Sequence, residues 1–96
     1  MGLMIRTWAD KEAEKLFNRK PSRRIPQGIQ KIAFRKLRML HRSTIMDDLK
    51  VPPGNCLEAF DGDRKGQHSI RINDQWKICF VWRNGDGYKV EMTDYL

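Results

Sequence analysis

The spacing of the apolar residues changes partway along this chain of 96 residues. Between residues 26 and 41 the spacing is helical, and one face collects Ile29, Ile32, Ala33, Leu37 and Leu40. From residue 67 onward it is the two-residue spacing of strands, and the even positions hold Ile70, Ile72, Trp76, Ile78, Phe80, Trp82, Tyr88, Val90 and Met92. A chain that is helical first and stranded afterwards predicts an α+β fold.

A second, shorter helix is predicted before residue 26. Asp10 is a suitable N-cap because its carboxylate can accept from the first free amides, and apolar residues follow at helical spacing (Ala13, Leu16 and Phe17). Pro21 and Pro26 end this helix, since proline cannot continue one. Residues 4–9 read as a short strand, and residues 46–55 read as an irregular loop.

Four further strands are predicted over residues 56–60, 67–72, 76–82 and 88–94. Their joints are short and rich in turn residues, which favours antiparallel neighbours. The expected architecture is therefore two N-terminal helices packed on one face of an antiparallel sheet, in a single domain covering residues 1–96. We interpret residues 1–3 as an expression remnant or an upstream start before Met4.

The net charge of +7 is unevenly placed. Residues 1–50 hold 13 Lys or Arg and 5 Asp or Glu, whereas residues 51–96 hold 6 and 7, and no acidic residue lies between 21 and 45. This pattern favours a polyanionic partner. The two cysteines have no metal-ligand spacing, so we expect neither a metal nor a disulfide, and no cofactor. With no apolar run long enough for a membrane helix and no signal peptide pattern, we expect a cytoplasmic protein without a membrane partner.

The odd positions of the strands point away from the helices. They carry Ser69, Arg71, Lys77, Cys79, Val81, Lys89, Glu91, Thr93 and Tyr95. Arg71 and Lys77 flank one tight turn and should be neighbours across a hairpin. Together with Tyr95 they could form a phosphate site on an open face, although a solvated polar face would have the same pattern.

The loop "DGDRKG" adds Arg64 and Lys65 just before His68. The loop lacks the spacing of a Walker loop or a dinucleotide fingerprint, and the carboxylates show no paired acid–base motif.

Three motifs resemble one family. "PPGN", "GDRKGQHSIRINDQWKICF" and the late "DY" stand at the spacing typical of HigB toxins in the RelE superfamily. The resemblance implies a metal-independent, ribosome-dependent endoribonuclease, in which a ribose 2′-hydroxyl of the messenger attacks the adjacent phosphate. It implies a catalytic set of Arg64, Arg71, Lys77, Asp94, Tyr95 and position 96, and an RNA-binding set of Lys65, His68, Asn73, Lys31, Arg35 and Arg38.

Position 96 departs from the family pattern. The family commonly has Asp-Tyr-His where this chain has Asp94, Tyr95 and Leu96. Leucine cannot transfer a proton, and general acid–base catalysis is worth about 10² to 10⁴ in rate. This chain is a weak natural variant, or His68 or Tyr95 substitutes, or Leu96 is an inactivating change selected during expression. We favour the third hypothesis.

The resemblance also implies partners. These are a HigA-type helix-turn-helix antitoxin, the ribosome with its mRNA, and operator DNA reached through the antitoxin. Two alternatives stay open: a gyrase inhibitor of the ParE type, and a catalytically impaired module that binds RNA or antitoxin. Arg71, Lys77 and Tyr95 favour the nuclease over the gyrase inhibitor.

Overall fold

The computed structural model describes residues 5–43, 45–60, 62 and 66–94. The helices are α1 (Lys11–Phe17) and α2 (Gln27–Arg42), and the strands are β1 (Glu58–Ala59), β2 (Gln67–Arg71), β3 (Trp76–Arg83) and β4 (Asp86–Asp94). The strands form one antiparallel sheet in the order β1-β2-β3-β4. The predicted α+β fold is confirmed.

The N-terminal helix starts where the sequence predicts. The Asp10 side chain accepts a hydrogen bond from the Glu12 amide at 2.9 Å. Residues 4–9, predicted as a strand, instead form isolated parallel bridges with β4, at Ile5 and at Trp8, over the described part of the segment. The predicted loop at 46–55 contains two short 3₁₀ turns, Met46–Lys50 and Pro53–Asn55.

The core lies between the helices and the even-numbered face of the sheet. Its fully buried members include Ala13 of α1, Leu37 of α2, and Ile78 and Phe80 of β3. Burial of a leucine, isoleucine or phenylalanine side chain is worth about 1.5–3 kcal/mol, so this shared apolar surface is what fixes the helices on the sheet. No helix among the described residues is long and apolar enough to cross a membrane.

A β-bulge in β4 corrects one part of the strand prediction. Cys79 pairs with Glu91, but Val81 pairs with Tyr88, so β4 holds one residue more than β3 between these pairs. Lys89 lies at the bulge with a φ of 52°. The extra residue reverses the alternation, so Tyr88 shares the face of Val81 and is not on the core side as its even number predicted.

The hairpin joining β3 and β4 is tighter than predicted. Asn84 and Gly85 both have positive φ, at 52° and 81°, as a two-residue turn of type I′ requires. Asp86 and Gly87, which the sequence placed in the joint, therefore belong to β4.

Candidate active site

Arg71 and Lys77 are directly opposite each other on β2 and β3. The Ile72 amide donates to the Trp76 carbonyl at 2.9 Å, so the neighbouring pair is a hydrogen-bonded one. The alternation of antiparallel ladders then makes Arg71 and Lys77 a non-hydrogen-bonded pair, in which side chains approach most closely. The predicted proximity of the two cations is confirmed.

The turn between these strands is fixed by Asn73. Its side-chain oxygen accepts from the amides of Gln75 and Trp76 at 2.9 and 2.8 Å. Asn73 therefore sets the geometry from which Arg71 and Lys77 project. Its predicted contact with RNA stays a prediction.

Two carboxylates lie close to the cation pair. Asp74, in the turn, is ion-paired with the Arg71 guanidinium. Asp94 is opposite Trp76 at the end of β4, and its Oδ2 accepts from Gln75 Nε2 at 2.9 Å. Asp94 is thus on the core-side face of its strand yet tied to the turn, which suits an orienting role better than direct contact with a phosphate.

Phe60 was not singled out from the sequence. Its ring lies 5.8 Å from the Lys77 ammonium, and its amide donates to the Gln67 carbonyl at 3.0 Å, which extends the β1–β2 ladder. Phe60 therefore shares the odd-numbered face with Lys77 and offers an aromatic ring on which a base could stack. The signal in the sequence was its position at the end of the predicted strand 56–60.

The odd-numbered face is less open than predicted. Ser69 and Cys79, which are opposite each other, are only 1% and 2% exposed. Half-buried positions lie on both sides of this pair: Arg71 and Lys77 near the turn, and Gln67 and Val81 at the other end of the two strands. Arg71 and Lys77 are therefore accessible on one side of a buried middle of this face.

His68 is on the other face of the sheet. It is opposite Phe80, and the two rings stack with centroids 6.0 Å apart. Its Nδ1 is buried and makes no hydrogen bond in the described part of the chain. The structure does not bring His68 together with Arg71 and Lys77, and its RNA-binding role stays a prediction.

The predicted RNA-binding cations of α2 differ in their surroundings. Lys31 and Arg35 are exposed. Arg38 packs between the helices, with its guanidinium 4.2 Å from the Phe17 ring centroid and 5.4 Å from that of Phe34. Such cation–π contacts are worth about 0.5–2 kcal/mol, so Arg38 contributes to helix packing whether or not it also meets RNA.

Lys36 is the α2 cation that reaches the strands. Its ammonium donates to the Arg71 carbonyl at 2.7 Å and to the side-chain oxygen of Asn55 at 2.8 Å. Burial lowers the pKa of Lys36, the interaction with Cys56 acts in the opposite direction, and the Arg35 and Arg71 charges lower it further. Lys36 was not among the site residues predicted from the sequence.

Four of the predicted site residues lie outside the described residues: Arg64, Lys65, Tyr95 and Leu96. Their assigned roles stay predictions. In residues 5–43, 45–60, 62 and 66–94, no cluster of three or more His, Cys, Asp or Glu side chains could hold a metal ion.

Known proteins resemble this chain over almost its whole length. The family described as "RelE-like toxin of type II toxin-antitoxin system HigB" matches residues 6–95. The protein named Toxin HigB-1 of Vibrio cholerae is 39% identical over 94 residues, which cover 97% of this chain and 95% of that protein. The protein named Endoribonuclease HigB of Proteus vulgaris is 30% identical over 93 residues, covering 96% and 99%. The chain therefore belongs to the RelE-like HigB family of type II toxin–antitoxin toxins.

Proposed function

We propose that this toxin is a ribosome-dependent endoribonuclease that cuts translated mRNA and so inhibits translation. The observation that carries the proposal is the directly opposed pair of Arg71 and Lys77, both half-buried on the odd-numbered face of the sheet. Like charges opposite each other disfavour folding, and a phosphate between them would offset the repulsion. The name of the Proteus vulgaris relative, Endoribonuclease HigB, supports the same activity.

In the proposed reaction the 2′-oxygen of one nucleotide attacks the adjacent phosphorus. The bond to the 5′-oxygen breaks, which leaves a 2′,3′-cyclic phosphate and a free 5′-hydroxyl. Arg71 and Lys77 would stabilise the extra negative charge on the phosphoryl oxygens, together with Arg64. Phe60 and Tyr95 would hold bases, Asp94 would orient its neighbours, and no metal or cofactor takes part.

Proton transfer is the step that Leu96 leaves without the histidine of the family pattern. The 2′-hydroxyl must lose a proton and the leaving oxygen must gain one, and Leu96 can do neither. We therefore propose that cleavage is slow in this chain, and that Leu96→His raises the rate about 10² to 10⁴ fold. Equal growth arrest by the two forms on induction would contradict this assignment.

The decisive experiment uses ribosomes programmed with a defined messenger, with cut sites read by primer extension. Cuts within codons support the nuclease, and Arg71→Ala should lower the rate about 10² to 10³ fold in a folded protein. Arg83→Ala is the matched control, since Arg83 is exposed on the same sheet. Full cleavage by Arg71→Ala would remove Arg71 from the site, whereas intact mRNA with inhibited supercoiling would favour the ParE-type alternative.

The proposed partners follow from the family. A type II toxin has an antitoxin, and we propose a helix-turn-helix protein of the HigA type, through which the complex would bind operator DNA. The proposed site of action is the ribosome in the cytoplasm, and the exposed cations Lys31 and Arg35 of α2 are suited to ribosomal RNA. If both the chain and Leu96→His bind the antitoxin but neither arrests growth, a pure binding module is the better assignment.

A further inference from the structure

The β1–β2 ladder stops before it reaches Arg71. Glu58 is opposite Ser69, so Cys56 would be the next residue to face Arg71 on this side of β2. Cys56 instead has a φ of 46° and donates its amide to the Pro53 carbonyl at 3.1 Å. The backbone before β1 therefore does not pair with β2 at Arg71.

Lys36 occupies the position that the next strand residue would take. Because Arg71 forms a non-hydrogen-bonded pair with Lys77, its backbone groups point toward the β1 side. There the Lys36 ammonium donates to the Arg71 carbonyl at 2.7 Å, across 35 positions of sequence. A side chain from α2 thus replaces a backbone donor at the end of β2.

The Lys36 ammonium is itself held in place. Its second acceptor is the side-chain oxygen of Asn55 at 2.8 Å, and Asn55 is fully buried. The Asn55 amide nitrogen donates to the Leu49 carbonyl at 3.0 Å. Lys36 is therefore a fixed donor, unlike a solvated surface lysine that samples many rotamers.

We propose that Lys36 is a positioning residue for Arg71: it fixes the backbone at the end of β2 so that the guanidinium is presented beside Lys77. This inference rests on the proposed endoribonuclease function, in which Arg71 touches the phosphate. Displacements of about 1 Å at a reacting centre can cost about a hundredfold in rate, so a fixed backbone here has a catalytic consequence.

A purely structural tie between α2 and the sheet would use the same contacts. Such a tie would change how much protein is folded, but it would leave the turnover of each folded molecule unchanged. The positioning role instead predicts a lower kcat in folded protein with little change in KM for programmed ribosomes, because distant ribosome contacts are untouched.

The test compares Lys36→Met with Lys36→Arg in the full chain. Lys36→Met keeps the length of the side chain but removes the donors, and kcat for mRNA cleavage should fall at least about tenfold while KM stays within about twofold. Lys36→Arg keeps donors and charge and should restore most of kcat. Lys11→Met, at an exposed site on α1, removes the same charge and should leave both constants unchanged.

A second measurement does not depend on cleavage. In nuclear magnetic resonance spectra, Lys36→Met should shift the Arg71 carbonyl signal and alter the Arg71 Nε–H resonance, and Lys11→Met should do neither. Unchanged Arg71 signals, or an unchanged kcat in folded Lys36→Met, would overturn the positioning role. If wild-type and Leu96→His chains cut no mRNA while the Arg71 signals still move, the nuclease proposal fails and the effect on Arg71 stands alone.

Discussion

Replacing Asn55 by alanine should destabilise the fold strongly, although Asn55 lies in a polar loop of the sequence. The side chain is fully buried, and its amide nitrogen donates to the Leu49 carbonyl at 3.0 Å while its oxygen accepts from Lys36 at 2.8 Å. In Asn55→Ala the Leu49 carbonyl stays buried without this donor, and the Lys36 ammonium loses one of its two acceptors.

The magnitude follows from these two losses. A buried carbonyl without its donor costs about 1–3 kcal/mol, and a hydrogen bond to a charged group is worth about 1.5–3 kcal/mol. Because Lys36 is only part-buried, water can replace part of its lost hydrogen bond to Asn55. The total loss in the free energy of unfolding is therefore about 2–4 kcal/mol. For a domain of this size that corresponds to a fall in Tm of about 10–25 °C.

Urea unfolding followed by circular dichroism measures the free energy of unfolding, and the matched control is Asn18→Ala. Asn18 also donates from its side chain to a backbone carbonyl, that of Glu14 at 3.0 Å, but it is exposed. The control should lose less than about 1 kcal/mol, since water replaces its hydrogen bond. Asn55→Asp should also be destabilised, because it keeps an acceptor for Lys36 but brings an anion against the Leu49 carbonyl. Equal losses at positions 55 and 18 would refute the reasoning.

Two further predictions concern charge. A double-mutant cycle with Arg71→Gln and Lys77→Gln should give an unfavourable coupling of about 0.2–1 kcal/mol, weaker in high salt, and a favourable coupling would show that the two cations do not repel. His41 accepts the Ile5 amide on Nδ1 at 3.1 Å, and burial, followed by the Arg38 charge, lowers its pKa below the usual 6.5. Between that lowered pKa and 6.5 the unfolded chain binds more protons than the folded one. The free energy of unfolding should therefore fall as the pH drops below about 6.5, and it should level off below the pKa of the folded protein. Urea unfolding at several pH values should show this loss of unfolding free energy in the wild type and not in His41→Gln. An identical pH dependence in the two proteins would exclude His41 as the cause.

The sequence predicted the fold well because its signals are local. Helical spacing in 26–41 and two-residue spacing after 67 identify the buried faces, and short joints leave antiparallel pairing as the simple solution. The same reasoning placed Arg71 near Lys77 across one hairpin, since only five residues separate them. In each case the distance along the chain is short, so alternation alone decides the result.

The face of Tyr88 and the contacts of Lys36 were not predicted, because neither follows from the alternation of apolar and polar residues. Tyr88 changed face because Lys89, which is not a glycine, adopts the left-handed conformation of a bulge. The sequence does place Lys36 beside the apolar face of α2, because it is four residues after Ile32 and four before Leu40. Its acceptors, however, lie 19 and 35 positions away, and no local pattern encodes such a pairing.

The surroundings of Arg71 indicate how a phosphate could enter the site. Asp74 is the ion-pair partner of the guanidinium, and its side chain is 91% exposed. An exposed pair of this kind is worth about 0–1 kcal/mol, whereas a phosphate can accept two parallel hydrogen bonds from one guanidinium. Asp74 is therefore a counter-ion of Arg71 that a phosphate can displace with little loss of free energy. The repulsion between Arg71 and Lys77 makes that exchange more favourable, because a phosphate can neutralise both cations at once.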